Sequence, residues 1–96
     1  MIRSFGNRLA EDLFHDRMTG ATRRFSPDLR RAAQRKLQYL NAAARLRDLG
    51  VPPGNRLEAL KGDRWGFHAI RINDQWRIVF RWEDNGASEV EVTDYH

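Results

Sequence analysis

Residues 75–82 read Gln75-Trp76-Arg77-Ile78-Val79-Phe80-Arg81-Trp82, and the alternation in this stretch decides the fold. Successive side chains of a strand point to opposite faces, so Trp76, Ile78, Phe80 and Trp82 share one face and Arg77 and Arg81 take the other. In the next stretch, Val90 and Val92 can join the apolar face, while Glu89, Glu91 and Tyr95 fall with the arginines. Strands are predicted over 67–72, 75–82 and 88–95, with turns at Asn73-Asp74 and Asp84-Asn85-Gly86. Ile70 and Ile72 belong on the apolar face. A two-residue loop would pair Ile70 with Arg77, whereas a three-residue loop including Gln75 pairs Ile72 with Trp76. A one-residue slip turns every side chain over, so the apolar pattern selects the longer loop and sets Arg71 beside Arg77.

Upstream, the residues 57–60 read as a short strand ending at Lys61-Gly62-Asp63, and 2–5 as a short first strand. The N-terminal half is arginine-rich and helical in pattern. Asn7 can cap a short helix carrying Leu9, Leu13 and Phe14, and Gly20 interrupts that pattern. The clearest helix opens at Ser26-Pro27, since serine caps well and proline is tolerated at the first helical position. Asp28 then sits at the positive end of the helix dipole. Leu29, Ala33, Leu37, Leu40 and Ala44 form one apolar stripe, and Gly50 with Pro52-Pro53-Gly54 marks the stop. Helices followed by strands give an α+β class: two N-terminal helices on one face of a curved, mainly antiparallel sheet of four to five strands. The opposite, concave face is rich in arginine.

The chain has 96 residues, 41% of them hydrophobic, which fits a single domain over 1–96. Seventeen Lys and Arg oppose 13 Asp and Glu for a net charge of +4, and only Lys36 and Lys61 are lysines. The arginine bias suits a polyanionic partner, because the planar guanidinium fork matches phosphate geometry. There are no cysteines, which excludes disulfides and thiolate metal sites and agrees with a reducing cytoplasm. No apolar run approaches the roughly 20 residues of a membrane span, and the N-terminus lacks a signal-peptide core. His15, His68 and His96 have no zinc-ligand spacing, and no glycine-rich phosphate loop is present, so metal and nucleotide-cofactor chemistry are unsupported.

Arg77 stands among apolar neighbours and is a candidate anion contact. The tail Asp94-Tyr95-His96 carries three titratable groups. Histidine shuttles protons near its ordinary pKa of roughly 6.5, whereas tyrosine, at about 10, needs a nearby cation before it can act as a base. By itself such a tail reads more readily as a frayed end than as a site. Glu89 and Glu91 could pair with Arg81 across strands.

Several blocks together carry a resemblance: Leu57-Glu58-Ala59-Leu60-Lys61-Gly62-Asp63-Arg64, then Asn73-Asp74-Gln75-Trp76-Arg77-Ile78, and the terminal Asp94-Tyr95-His96. With Ile2-Arg3-Ser4-Phe5 at the start, the chain resembles the HigB-type toxins of the RelE/ParE superfamily, close to the GraT-like proteobacterial members. The resemblance implies a RelE-like fold and metal-independent cleavage of mRNA in the ribosomal A site, with the ribose 2′-hydroxyl attacking the adjacent phosphate. Such a reaction needs a base at the 2′-oxygen, cations around phosphorus and an acid at the departing 5′-oxygen. Matched by position, Arg77 would stabilise the phosphate and Lys61 would stabilise charge or lower a neighbour's pKa. His96 would transfer protons, Tyr95 would stack on a base or transfer protons, and Asp94 would orient both. Some members carry a histidine three residues before the matching lysine; this sequence has Glu58, which either supplies the base in its place or leaves that role lost. Arg23, Arg24, Arg30, Arg31 and Arg35 form a basic belt suited to ribosomal RNA phosphates, and Arg64, Arg71 and Trp65 are further RNA-binding candidates. The resemblance also implies a HigA-like helix-turn-helix antitoxin, a toxin–antitoxin heterotetramer and a cytoplasmic site of action. Two other readings stay open: a gyrase-inhibiting ParE-like toxin and a noncatalytic RNA-binding module.

Overall fold

The structure is a computed structural model that describes residues 1–94. Three α-helices, α1 (Arg8–Phe14), α2 (Gly20–Arg23) and α3 (Pro27–Ala42), precede four strands. These are β1 (Glu58–Ala59), β2 (Phe67–Arg71), β3 (Trp76–Glu83) and β4 (Gly86–Asp94), hydrogen-bonded in that order and antiparallel throughout. The α+β class holds, with one helix more than the sequence pattern indicated. Gly20 was expected to break the pattern, but it opens α2. Thr19 caps that helix by accepting from the Thr22 backbone N–H while the Thr22 hydroxyl accepts from Thr19.

The β2–β3 hairpin has the predicted longer loop: Ile70 faces Ile78 and Arg71 faces Arg77. Its Asn73 side chain accepts from the backbone N–H groups of Gln75 and Trp76 at 2.9 and 2.7 Å, which fixes the loop. The segment 2–5 is thinner than the expected strand. It makes two parallel bridges to β4, Ile2 with Ala87 and Phe5 with Val90.

Helix α3 begins as predicted, with Ser26 accepting from the Leu29 N–H and Pro27 in the first turn. It ends earlier than the glycine and prolines suggested. The Asp48 carboxylate accepts from the backbone N–H groups of Ala44 and Arg45 at 3.2 and 3.0 Å, and residues Leu46–Gly50 form a tighter 3₁₀ turn. Ala43, and not Ala44, therefore completes the buried stripe after Ala33, Leu37 and Leu40.

The main core lies between helices and sheet. Leu37, Leu40, Ile70, Ile78, Phe80, Val90 and Val92 are fully buried there, with Trp76 and Trp82 packed at its margin. Each such side chain contributes about 1.5–3 kcal/mol by leaving water. The connection from α3 to β1 is tied down by the buried Asn55. Its amide donates to the Leu49 carbonyl at 3.1 Å and accepts from the Lys36 ammonium. Burial lowers the Lys36 pKa, and neighbouring Arg35 lowers it further.

Strand β4 contains a feature that simple alternation does not foresee. Arg81 pairs with Ser88 and Val79 with Glu91, so β4 carries one extra residue opposite Phe80. Glu89 takes up the excess with a left-handed backbone, φ 53. The Ser4 hydroxyl accepts from the Glu89 N–H at 2.8 Å, which holds the bulge in place. A bulge resets the alternation, which lets both Ala87 and Val90 face the core.

Candidate active site

The outer face of the sheet, opposite the helices, is built in rows that follow from the register. One row holds Arg71, Arg77 and Thr93, the next Glu58, Ala69, Val79 and Glu91. The third holds Leu60, Phe67, Arg81 and Ser88. Phe67, Ala69 and Val79 form a small second apolar cluster with Leu60. The arginine-rich face therefore also carries a buried apolar floor between its charged groups.

At the hairpin end, the Arg77 guanidinium donates to the Asn73 carbonyl at 2.6 Å and the Trp76 carbonyl at 3.3 Å. Arg71 stands opposite it and pairs with Asp74. Asp94 faces Trp76, one position beyond the Arg77–Thr93 row, and its carboxylate accepts from the Gln75 amide at 2.9 Å. Gln75 is thus a local support for Asp94 that the sequence pattern does not reveal. Tyr95 and His96 lie outside the described residues.

At the other end, β1 runs into Lys61 and a 3₁₀ turn, Gly62–Arg64. Gly62 has φ 64, a conformation glycine adopts without the clash a side chain would meet. Glu58, Ala59, Leu60, Lys61 and Arg64 line a shallow cleft of about 380 Å³. Glu58 and Lys61 are exposed and Trp65, at 79% exposure, stands almost clear of the surface. The register therefore sets Lys61, Arg64 and Trp65 beyond the Phe67 level at one end and Arg71, Arg77 and Asp94 at the other, with Glu58 in the row next to Arg71 and Arg77. Four residue steps of β2, from Phe67 to Arg71, separate the two ends, about 13 Å along the strand, and Glu58, level with Ala69, stands about half that distance from Arg71.

Two ion pairs occupy the space between. Arg64 makes a two-pronged contact with Glu91, at 2.9 and 3.2 Å, and those hydrogen bonds raise its pKa. Arg81 Nε lies 3.0 Å from a Glu89 oxygen. The expected pairing of Arg81 with an acid of the last strand is realised at Glu89, while Glu91 reaches Arg64 on another element. His68 offers no replacement for the family histidine: it is level with Ala59, one residue off the Glu58 row, and stacks on core residue Phe80.

The basic belt divides. Arg23, Arg24 and Arg35 are exposed, Arg31 pairs with Asp28, and half-buried Arg30 donates to the Phe25 carbonyl at 2.9 Å. Among the described residues, no group of three or more His, Asp or Glu side chains is placed to hold a metal ion. No helix among them is long and apolar enough to cross a membrane.

The sequence profile described as RelE-like toxin of type II toxin-antitoxin system HigB matches residues 3–96. The chain belongs to the HigB-like toxin family. It is 37% identical over 87 residues to Toxin HigB-1 of Vibrio cholerae serotype O1, covering 91% of this chain and 90% of that protein. It is 31% identical to Endoribonuclease HigB of Proteus vulgaris over 96 residues, the whole of both chains. The fold is shared with the solved heterotetrameric YoeB-YefM toxin-antitoxin complex from Staphylococcus aureus, with a TM-score of 0.56 at 19% identity over 100% of this chain and 98% of that one. It is shared as well with a YoeB/ParE toxin from Agrobacterium tumefaciens, at 0.56 and 18%, over 99% and 100%. Membership in a type II family gives the chain an antitoxin as its partner.

Proposed function

We propose that this toxin is a ribosome-dependent endoribonuclease that cuts mRNA in the A site by 2′-hydroxyl attack on the adjacent phosphate, working as one RelE-like domain over 1–96. The observation that carries this reading is the outer face, where Arg77 is anchored beside Arg71, Glu58 lies in the neighbouring row, and Glu58 and Lys61 line a cleft that leads away from them. The name of the Proteus vulgaris relative, Endoribonuclease HigB, points the same way. Arg77 meets the phosphate charge that grows in the transition state, and Lys61 supplies a second cation. Proton transfer falls to Glu58 and to His96 and Tyr95, with Asp94, held by Gln75, orienting the tail. Arg64, Arg71 and Trp65 grip flanking RNA, and the exposed arginines of the helical side, Arg23, Arg24 and Arg35, meet ribosomal RNA with Arg31. The partner is a HigA-like helix-turn-helix antitoxin, which would hold the toxin in a heterotetramer in the cytoplasm.

The test maps mRNA 5′ ends on translating ribosomes with wild type, Arg77→Ala and His96→Ala. Wild type is expected to cut within the A-site codon, and each variant to lose about 10²-fold or more in rate. Unchanged cutting in both variants would remove the assigned site. Growth arrest with intact mRNA and inhibited gyrase would replace the reading with a ParE-like one.

A further inference from the structure

Both guanidiniums of the middle of the outer face lie over one ring. The Arg81 and Arg64 guanidinium carbons are 4.5 and 5.1 Å from the Phe67 centroid. Each is also held by a carboxylate, Glu89 for Arg81 and Glu91 for Arg64. The arrangement is a built anion seat: two planar cations fixed against a buried ring, Arg64 with the Glu91 carboxylate across its fork and Arg81 with Glu89 at its Nε. A guanidinium fork accepts a phosphate in the same two-pronged geometry as a carboxylate.

We infer that Arg64, Arg81 and Phe67 form a second phosphate seat for the RNA strand, which Glu91 and Glu89 fill while no RNA is bound. The inference rests on the RNA-cleaving reading and deepens it, giving Arg64 a defined phosphate subsite with Arg81 and Phe67 and an acidic occupant that RNA must displace. Three observations support it. The seat shares the face of Arg77, but lies two rows away, so one strand running along the sheet can touch both. The pairs are part-exposed, with 42% of the Arg64 side chain and 38% of Arg81 open to solvent, so they are weak enough for a phosphate to displace. Trp65, next in sequence to Arg64, offers an indole beside the seat for a base to stack on. RNA is favoured over an acidic protein segment because cations and aromatic faces alternate here, and bases and phosphates alternate along a nucleic-acid strand.

The experiment is single-turnover cleavage of a defined mRNA on programmed ribosomes, with full-length toxin titrated in excess. It yields a half-saturating concentration and a maximal rate. Glu91→Gln is expected to lower the half-saturating concentration about two- to fivefold, with the maximal rate nearly unchanged. Arg64→Ala should raise it, and the Arg64→Ala/Glu91→Gln double variant should match Arg64→Ala, because the acid has nothing left to block. Glu89→Gln with Arg81→Ala gives an independent cycle should either first-pair variant melt early. Asp28→Asn, at the start of α3, adds the same unit of charge outside the seat. A gain from Glu91→Gln no larger than that from Asp28→Asn, or one that survives in the double variant, overturns the seat. So does a Glu91→Gln effect confined to antitoxin affinity. Cleavage that needs Arg77 but shows no Arg64–Glu91 coupling overturns the seat alone. Absence of cleavage by wild type overturns the underlying reading, and the seat with it.

Discussion

Asn7 shows how much one side chain can carry. Its Oδ1 accepts from the Ala10 N–H at 3.0 Å, capping α1, and from the Val92 N–H at 3.3 Å. Its Nδ2 donates to the Val92 carbonyl at 3.0 Å. One amide therefore starts the first helix and clips it to the strand that leads into Asp94. Asn7→Ala is expected to cost about 2 kcal/mol, a cap plus partly buried hydrogen bonds. The sharper case is Asn7→Asp, because aspartate caps as well as asparagine in ordinary helices. Here it loses the donor to Val92 and sets a carboxylate against a carbonyl, so a loss of at least about 1 kcal/mol is expected. Chemical denaturation of the three proteins measures this; an Asn7→Asp protein as stable as wild type would show that the Val92 clip contributes nothing. The capping role was legible in the sequence, since a good cap residue precedes an apolar pattern. The clip was not, because nothing local relates residues 7 and 92. The same holds at the candidate site. Lys61 and Arg77 stood out by type and position, but the partner of Arg64 comes from another strand and leaves no mark on its own segment.

Among the elements, β2 and β3 were the most legible. Their two faces differ so strongly in polarity that only one loop length keeps both isoleucines on the core side, and the observed register is that one. Helix α3 was legible at its start, where cap, proline and acid coincide, but not at its end, where the remote Asp48 carboxylate supplies the termination. The β4 bulge was hidden because Glu89 is an ordinary strand residue by type, and its left-handed backbone is imposed by the bridge to Ser4 and the need to bury Ala87. This yields a prediction opposite to strand propensity. Valine favours strands and glycine weakens them, yet at a left-handed position valine is strained and glycine is not. Glu89→Gly should stay within about 1 kcal/mol of wild type, since relief of strain offsets the lost surface pair with Arg81. Glu89→Val should be less stable than Glu89→Gly by about 1 kcal/mol or more. Thermal unfolding of the two variants decides it, and the reverse order would mean that the strand is regular at this point.

For the whole molecule, the two sides of the sheet divide the charge. The outer face holds its arginines in fixed contacts, while Arg23, Arg24 and Arg35 on the helical side project into solvent. Composition made the arginine excess and its fit to a polyanion plain, and the resemblance to HigB-type toxins implied RNA as that polyanion. Which arginines are structural became visible only when the helices were packed. Fixed cations suit the recognition of a few phosphates in set positions, whereas projecting ones attract a large polyanion through counterion release. On this division, the Arg23→Gln/Arg35→Gln pair should flatten the plot of log ribosome affinity against log salt by about 1.5, with the maximal cleavage rate unchanged. Arg30→Gln should behave differently, losing stability through its bond to the Phe25 carbonyl and leaving the salt slope alone. Ribosome co-sedimentation across a salt series measures the slopes. An unchanged slope in the Arg23/Arg35 double variant would move ribosome attachment off the helical side, leaving the outer face to hold both the ribosome and the message.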